Sequence, residues 1–208
     1  MGTAARKKRE LEHRKQLILE KSRELFFQKG YDGVTIQDIC KAVEYGRSAI
    51  YGLFQSKEEI YAHLKLRGIA KLADQYMVIN PDAADRDVEF IQCARILHAF
   101  YEEHRPYYRA VFGGQSGVDA RISPELRTHM DSEMGRAWEP LHLLLSKGME
   151  SGYFDDSRSA DSVVRLFWSA LVGIINGFIV DEREDEKSRI AEACVQHAEI
   201  YLAGLKKS

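Results

Sequence analysis

Apolar residues recur at three- and four-residue intervals along nearly the whole 208-residue chain, and glycine and proline fall where that rhythm breaks. A repeat near 3.6 residues lines such positions along one face of an α-helix, whereas a half-buried strand needs a repeat of two. Almost nothing alternates in the strand manner. The expected fold is all-α, with about nine helices: three in a small front domain and the rest in a larger bundle. There is no internal repeat and no low-complexity tract.

The punctuation gives approximate boundaries. A first helix is expected over residues 9–29, with Leu17, Ile18, Leu25 and Phe26 on one face and Gly30 placed for a left-handed C-cap. Two short helices follow at 35–43 and 47–54. Ser56 and Glu59 form a capping box that opens a long helix ending before Asn80-Pro81. Further helices are expected at 88–104, 106–112, 123–151 (with Pro124 in its first turn), 162–180 and 184–205. Gly113-Gly114 and Ser116-Gly117 read as a flexible loop, since neither a strand nor a GK[ST] run makes them a phosphate cradle. Residues 163–180 approach the roughly 20 apolar residues of a membrane span. They carry Arg165 and Asn176 and run into acidic residues 181–186, which favours a helix buried within a protein.

The formal net charge of −2 does not suggest a nucleic-acid binder, but its distribution does. Residues 1–70 carry 14 Lys and Arg against 9 Asp and Glu, leaving 16 against 23 for the remainder. A basic front on an acidic body is what a chain needs if only its front end meets phosphates. Cys40, Cys93 and Cys194 are far apart, odd in number and without a CxxC pair, so they read as buried free thiols in a reducing, cytoplasmic compartment. The charged N-terminus lacks the apolar core of a signal peptide.

Residues 35–57, TIQDICKAVEYGRSAIYGLFQSK, read as two short helices, a tight turn between them and the capped start of a third. The second helix of such a unit is the right size for the DNA major groove. Thr35 caps the first short helix, so its hydroxyl and the amides beyond it are placed to meet a phosphate. Arg47, Ser48 and Ala49 form the first turn of the recognition helix, where side chains reach base edges, and Arg47 is suited either to guanine or to a phosphate. Ile36, Ile39, Val43, Ile50 and Phe54 fit the small core. The basic run Arg6-Lys7-Lys8-Arg9 reads either as an arm adding phosphate attraction or as a solvated tail.

The positions Ile18, Ser22, Phe26, Gly30-Tyr31, Thr35-Ile36, Ile39-Cys40, Ile50-Tyr51, Phe54 and Lys57 resemble the DNA-binding domain of the tetracycline-repressor (TetR) family over about residues 10–65. The resemblance implies a helix-turn-helix domain at 1–56 and a ligand-binding and dimerisation domain at 57–208. It implies DNA contacts from Thr35, Arg47, Ser48, Ala49, Tyr51, Gly52 and Lys57, with Tyr51 on the backbone and Lys57 as a phosphate clamp. The usual Ala-Gly-Val-Ser turn is here Val43-Glu44-Tyr45-Gly46, so Glu44 stands where glycine would accept a positive φ cheaply.

The resemblance also implies a homodimer through the last two helices, a palindromic operator in double-stranded DNA, and a small-molecule effector. Gly173 and Gly177 would admit another helix closely, with Trp168, Leu171, Ile175 and Phe178 supplying packing. An apolar or aromatic effector would meet Phe90, His98, Tyr101, Tyr108, Phe112, Trp138, His142 and Phe167, residues that equally fit an ordinary core. No catalytic constellation, cofactor or metal site is expected: His98 and Glu102 share a helical face but have no third ligand nearby. The other reading is a DNA-bound adaptor or activator whose bundle binds a protein.

Overall fold

The computed structural model describes residues 2–114, 121–179 and 186–206. Among these residues are nine helices: α1 (Gly2–Lys29), α2 (Ile36–Val43), α3 (Arg47–Tyr51), α4 (Lys57–Tyr76), α5 (Arg86–Glu103), α6 (Arg105–Phe112), α7 (Pro124–Glu150), α8 (Ala160–Ile179) and α9 (Glu186–Ala203). The one extended pairing among them is an isolated antiparallel bridge between Phe154 and Lys206. The all-α expectation holds.

Boundaries moved where apolar rhythm was a poor guide. α1 begins at Gly2, not near residue 9. After Gly2 and Thr3 its added turns hold only alanine, arginine and lysine, all good helix formers, and the side chains of Ala5 to Lys8 are exposed. Such a segment propagates as helix without an apolar face. α3 ends at Tyr51, three residues short of the expected limit. The Gly52 amide donates to Ser48 O at 3.0 Å and Phe54 N to Ile50 O at 2.9 Å, closing the helix in a turn that still brings Phe54 inward.

The chain divides into two compact units, one built from the chain up to Gly68 with Arg109–Met130, the other from Ile69–Tyr108 with Asp131 onward. In the first, Ile18, Phe26, Val34, Ile39, Val43, Ile50, Phe54 and Ile60 form the core. Phe26 meets Tyr61 edge-on at 5.0 Å. In the second, α9 packs on α5 and α8 around Phe90, Phe100, Phe167, Leu171, Ile175 and Cys194. α8 is long and apolar enough to cross a membrane by length and composition, but here it delivers Val163, Val164, Phe167 and Trp168 to this core. Cys93 and Cys194 are buried free thiols and Cys40 is half-buried. Burial pushes the Cys194 thiol up to about 11, and Cys93 higher still, so both stay protonated and inert.

The end of α7 shows how closely the second unit is fitted. The chain reverses through Gly152, at φ 73°, and the Tyr153 and Phe154 amides both donate to Gly148 O, at 2.8 and 3.1 Å. Phe154, fully buried, then packs its ring against the bare Cα of Gly148, where a Cβ would overlap the ring. The Asp155 amide continues to Leu205 O at 2.7 Å, tying the reversed chain to the C-terminus. Gly135, on the same helix, has open space where a Cβ would stand. Gly148→Ala is expected to cost about 1–3 kcal/mol through overpacking. Gly135→Ala should stabilise by up to about 1 kcal/mol, because only backbone entropy changes there. Urea unfolding of the two variants beside the parent checks the opposite signs.

Candidate nucleic-acid interface

The α2–α3 pair is defined by its caps. Thr35 is the N-cap of α2 in a complete capping box with Asp38. The Thr35 amide and hydroxyl donate to Asp38 Oδ2 at 2.9 and 2.6 Å, and the Asp38 amide donates back to the hydroxyl at 3.2 Å. These bonds, the hydroxyl's first, hold the Asp38 carboxyl below the usual carboxylate range. The Thr35 hydrogen is therefore already committed. A phosphate, which only accepts, meets Thr35 by this hydroxyl only if the box opens.

α2 ends at Glu44, at φ 58° and ψ 31°, the one non-glycine residue with positive φ among those described. The left-handed conformation that glutamate disfavours at this position is the one adopted. It is retained because the Tyr45 amide closes on Cys40 O at 3.1 Å, turning the chain into α3. Gly46, extended at φ −70° and ψ 158°, caps α3 by its backbone alone. Gly46 O accepts from Ala49 and Ile50 at 3.0 and 3.3 Å.

α3 is divided by burial. Ile50 is fully buried, while Arg47, Ser48, Ala49 and Tyr51 are exposed, Tyr51 by 52%. The candidate contact residues thus form one solvent-facing surface, with exposed Gly52 at its end. Arg47 Nη2 donates to Gln37 Oε1 on α2 at 3.0 Å. Gln37 was not anticipated as part of this surface; the contact spans ten residues and two helices, so no local spacing announces it.

Lys57 is placed differently from the other candidates. Its half-buried ammonium donates to Tyr31 O and Val34 O at 3.0 and 2.9 Å and lies 4.0 Å from the Tyr31 ring centre. Two of its three N–H bonds therefore hold the α1–α2 loop, and it is first a structural tie. Beside it, Tyr31 hydrogen-bonds Glu58, and burial, then Glu58, pushes the phenol up to about 12. Arg121 Nη1 meets Glu58 Oε1 at 3.1 Å. Burial alone would raise the Glu58 carboxyl, but its backbone, Ser56, Arg121 and Tyr31 donors together hold it low.

In the second unit the candidate effector residues pack on one another and on their neighbours. Phe90 and Phe167 are 4.6 Å apart, Tyr101 and Tyr108 5.1 Å, and Phe167 stacks on His197 at 5.6 Å. His98 lies 6.5 Å from Tyr101. Trp138 faces Trp168 at 6.4 Å, and His142 Nε2 is 3.3 Å from Asp161 Oδ1. Phe112 belongs to the other compact unit. An open groove of about 670 Å³ lies between α5 and α9, lined by Arg95, His98, Glu192 and Glu199 among others, so that His98 alone of the candidate effector residues lines it. Gln75 Oε1 and Trp138 Nε1 are buried without a hydrogen-bond partner.

The candidate dimer residues divide into two sets. Trp168, Leu171 and Ile175 are buried in the protomer's own core, so their side chains are not available to a second copy. Gly173 and Gly177 face outward with open space over each Cα, Phe178 is half-buried, and Leu166 on the same helix is 50% exposed. α8 thus buries Val163, Val164, Phe167, Trp168, Leu171 and Ile175, while Leu166 stays exposed and Val172, Ile174 and Phe178 are half-buried.

Residues 18–64 match the family of bacterial regulatory proteins, tetR family. The chain is 24% identical over 200 residues to the biofilm operon icaADBC HTH-type negative transcriptional regulator IcaR of Staphylococcus epidermidis, covering 90% of this chain and 98% of that one. Among solved structures, the TetR family transcriptional regulator PfmR of Thermus thermophilus is 27% identical with a TM-score of 0.64, covering 91% of this chain and 99% of its own. The fold is shared with a TetR-family regulator from Mesorhizobium loti at 16% identity and a TM-score of 0.70, over 95% of this chain and 98% of that one. The chain belongs to the TetR family. It is a DNA-binding transcriptional regulator, and the matched segment contains the whole α2–α3 pair.

Two tests follow from these placements. Lys57→Met should lower stability by about 1–3 kcal/mol, the range for charged hydrogen bonds lost at a partly buried site. Arg47→Ala, at an exposed position, should stay within about 0.5 kcal/mol of the parent. Urea midpoints decide between a tie and a mere DNA contact at Lys57. The second test concerns His63, edge-on to Phe54 at 5.7 Å and pushed down to about 4 by burial, then by Lys15, Arg67 and His129, against Glu12. Its folded value lies below the ordinary 6.5 of a histidine, so the unfolded chain binds the proton more readily. The stability from neutral His63 is complete above about pH 6.5 and lost as pH falls towards 4. His63→Leu should therefore show a flatter midpoint-versus-pH curve than the parent between these limits.

Proposed function

We propose that this regulator is a cytoplasmic repressor that holds a palindromic operator as a homodimer and releases it when a small apolar or aromatic effector binds the C-terminal domain. The observation that carries the DNA half is the exposure of Arg47, Ser48, Ala49 and Tyr51 on a helix anchored by fully buried Ile50. A short helix so mounted presents one face to a groove and keeps its orientation through the core behind it. Repression is supported by likeness to a negative regulator over nearly its full length. The two-fold arrangement is supported by the outward small residues Ser169, Gly173 and Gly177 and by exposed Leu166 on α8, with Ile200 on α9 74% exposed. Two recognition helices held at a fixed separation address half-sites about one helical turn apart.

The effector half is supported by the buried, unpartnered Gln75 Oε1 and Trp138 Nε1, an acceptor and a donor that a bound molecule's polar groups would satisfy. The dense contacts among Phe90, Phe167, Tyr201 and His197 favour the second reading, an adaptor whose bundle surface meets a protein.

Selection of bound duplexes from random DNA, at two salt concentrations, tests the proposal. The expected product is a two-fold symmetric site, and Arg47→Ala should lose preference at one position in each half-site. Failure to enrich any palindrome removes the dimeric repressor reading. An equal loss for all sequences makes Arg47 a phosphate contact instead. Thermal melting against a panel of small aromatic and aliphatic compounds, followed by DNA release, separates sensor from adaptor.

A further inference from the structure

We propose that Gln37 is a specificity-determining positioning residue, which holds the Arg47 guanidinium across the α2–α3 pair so that the two side chains read a guanine-containing step together. The inference rests on the reading of α3 as the base-facing helix and deepens it. Its geometric basis is the hydrogen bond from Arg47 Nη2 to Gln37 Oε1 at 3.0 Å, joining the second residue of α2 to the first of α3.

The chemistry of the pair is selective. Asp38, the acid beside Gln37, is committed to the Thr35 capping box. Arg47 therefore takes a neutral amide as its acceptor. A carboxylate there would hold the guanidinium more firmly but cancel its charge before DNA arrived; an amide orients it and leaves the full positive charge for the groove.

The donor inventory then fixes what is read. Arginine has five N–H donors and no acceptor, and one is directed to Gln37. With Oε1 engaged by Arg47, the amide group of Gln37 that remains wholly uncommitted is its N–H₂. Arg47 and Gln37 thus offer the groove chiefly donors from two adjoining side chains. Guanine presents two acceptors, N7 and O6, in the major groove, whereas cytosine presents a donor and adenine one of each. The matching edge is guanine under Arg47, with an acceptor, from guanine, thymine or adenine N7, at the neighbouring base under Gln37.

Holding Arg47 also matters on its own. Arg47 is exposed, and a long, rotatable side chain without a second anchor would divide its time between base edge and phosphate. The Gln37 bond selects orientations that keep the guanidinium beside α2. On this basis Gln37 acts mainly on discrimination, and little on attraction to DNA in general.

The test compares parent, Gln37→Ala, Arg47→Ala, the double variant and Gln37→Glu, all as the full chain and at one salt concentration. Sequences are selected from random duplexes, and affinities are then measured for the selected site, for versions changed at the position sensitive to Arg47→Ala, and for a non-site duplex. The parent should favour guanine there by about tenfold or more. Gln37→Ala should reduce this to within about threefold while non-site affinity changes less than about twofold, and at that position the double variant should show the same base preference as Arg47→Ala. Gln37→Glu keeps an acceptor for Arg47 and should regain guanine preference over Gln37→Ala, with weaker binding to every duplex. If Gln37→Ala keeps the full Arg47-dependent preference, or lowers it equally when Arg47 is absent, the positioning role is overturned. If Arg47→Ala weakens all sequences alike, base reading by Arg47 fails, and this inference fails with it. Melting curves of the variants, expected to match the parent, guard against loss of fold.

Discussion

In the front of this regulator one ammonium group ties the long helix α4 to the loop that leads into α2. Lys57, at the first position of α4, reaches back to the carbonyls of Tyr31 and Val34 and rests on the Tyr31 ring. Those carbonyls belong to the loop between α1 and α2, where no helix supplies them with partners. Their capture joins α4 to the residues immediately before the Thr35 cap. Around this tie, Phe26, Tyr31 and Tyr61 pack ring against ring, with Tyr31 and Tyr61 at 4.8 Å. The Tyr31–Glu58–Arg121 chain adds polar bonds on the same side. The loop leading into the Thr35 cap is thereby held by contacts far from it in sequence, while the cap itself is local, and α3 follows α2 through the Glu44 turn.

That turn shows two requirements in conflict. Glycine at position 44 would adopt φ 58° without strain; glutamate adopts it at a cost on the order of 1–2 kcal/mol. Buried Val43 before the turn and Ile50 after it fix both sides, so the left-handed residue is held by packing. The strain is confined to one residue and does not spread into α3, whose Gly46 carbonyl makes regular bonds to Ala49 and Ile50. The two helices thus form on either side of a residue that disfavours the conformation the turn requires.

What was legible in the sequence had local causes. Capping at Thr35 and at Ser56, the C-cap at Gly30 and the core set Ile39, Val43, Ile50 and Phe54 depend on neighbours within one or two turns, and they appear where the sequence put them. Long-range partners were not legible. Lys57 looked like a phosphate clamp because the carbonyls that claim it lie 23 and 26 residues away. Gln37 carried no signal, since exposed glutamine in a helix has many ordinary uses. α8 misled in a different way: its apolar run was plain, but only packing reveals that Trp168, Leu171 and Ile175 turn inward while Gly173 and Gly177 turn out.

The same distinction governs where positive charge is available to DNA. The front segment carries an excess of basic residues, yet several are engaged: Lys57 with carbonyls, Arg14 with Glu10 at 2.6 Å, Arg67 with Gln16 at 2.6 Å and Lys21 with Glu24 at 3.0 Å. Exposed pairs of this kind are weak and exchange readily with a phosphate, so Arg14 and Lys21 remain recruitable. Lys57, held by two carbonyls in a half-buried site, is not recruited without loosening the loop. The cations free for general attraction to DNA on the proposed reading are the loosely paired surface ones and the exposed basic turn of α1, which includes Arg6, Lys7, Lys8 and Arg9. Sequence discrimination is assigned by the proposal to α3, where Arg47 meets a neutral acceptor that leaves its charge intact.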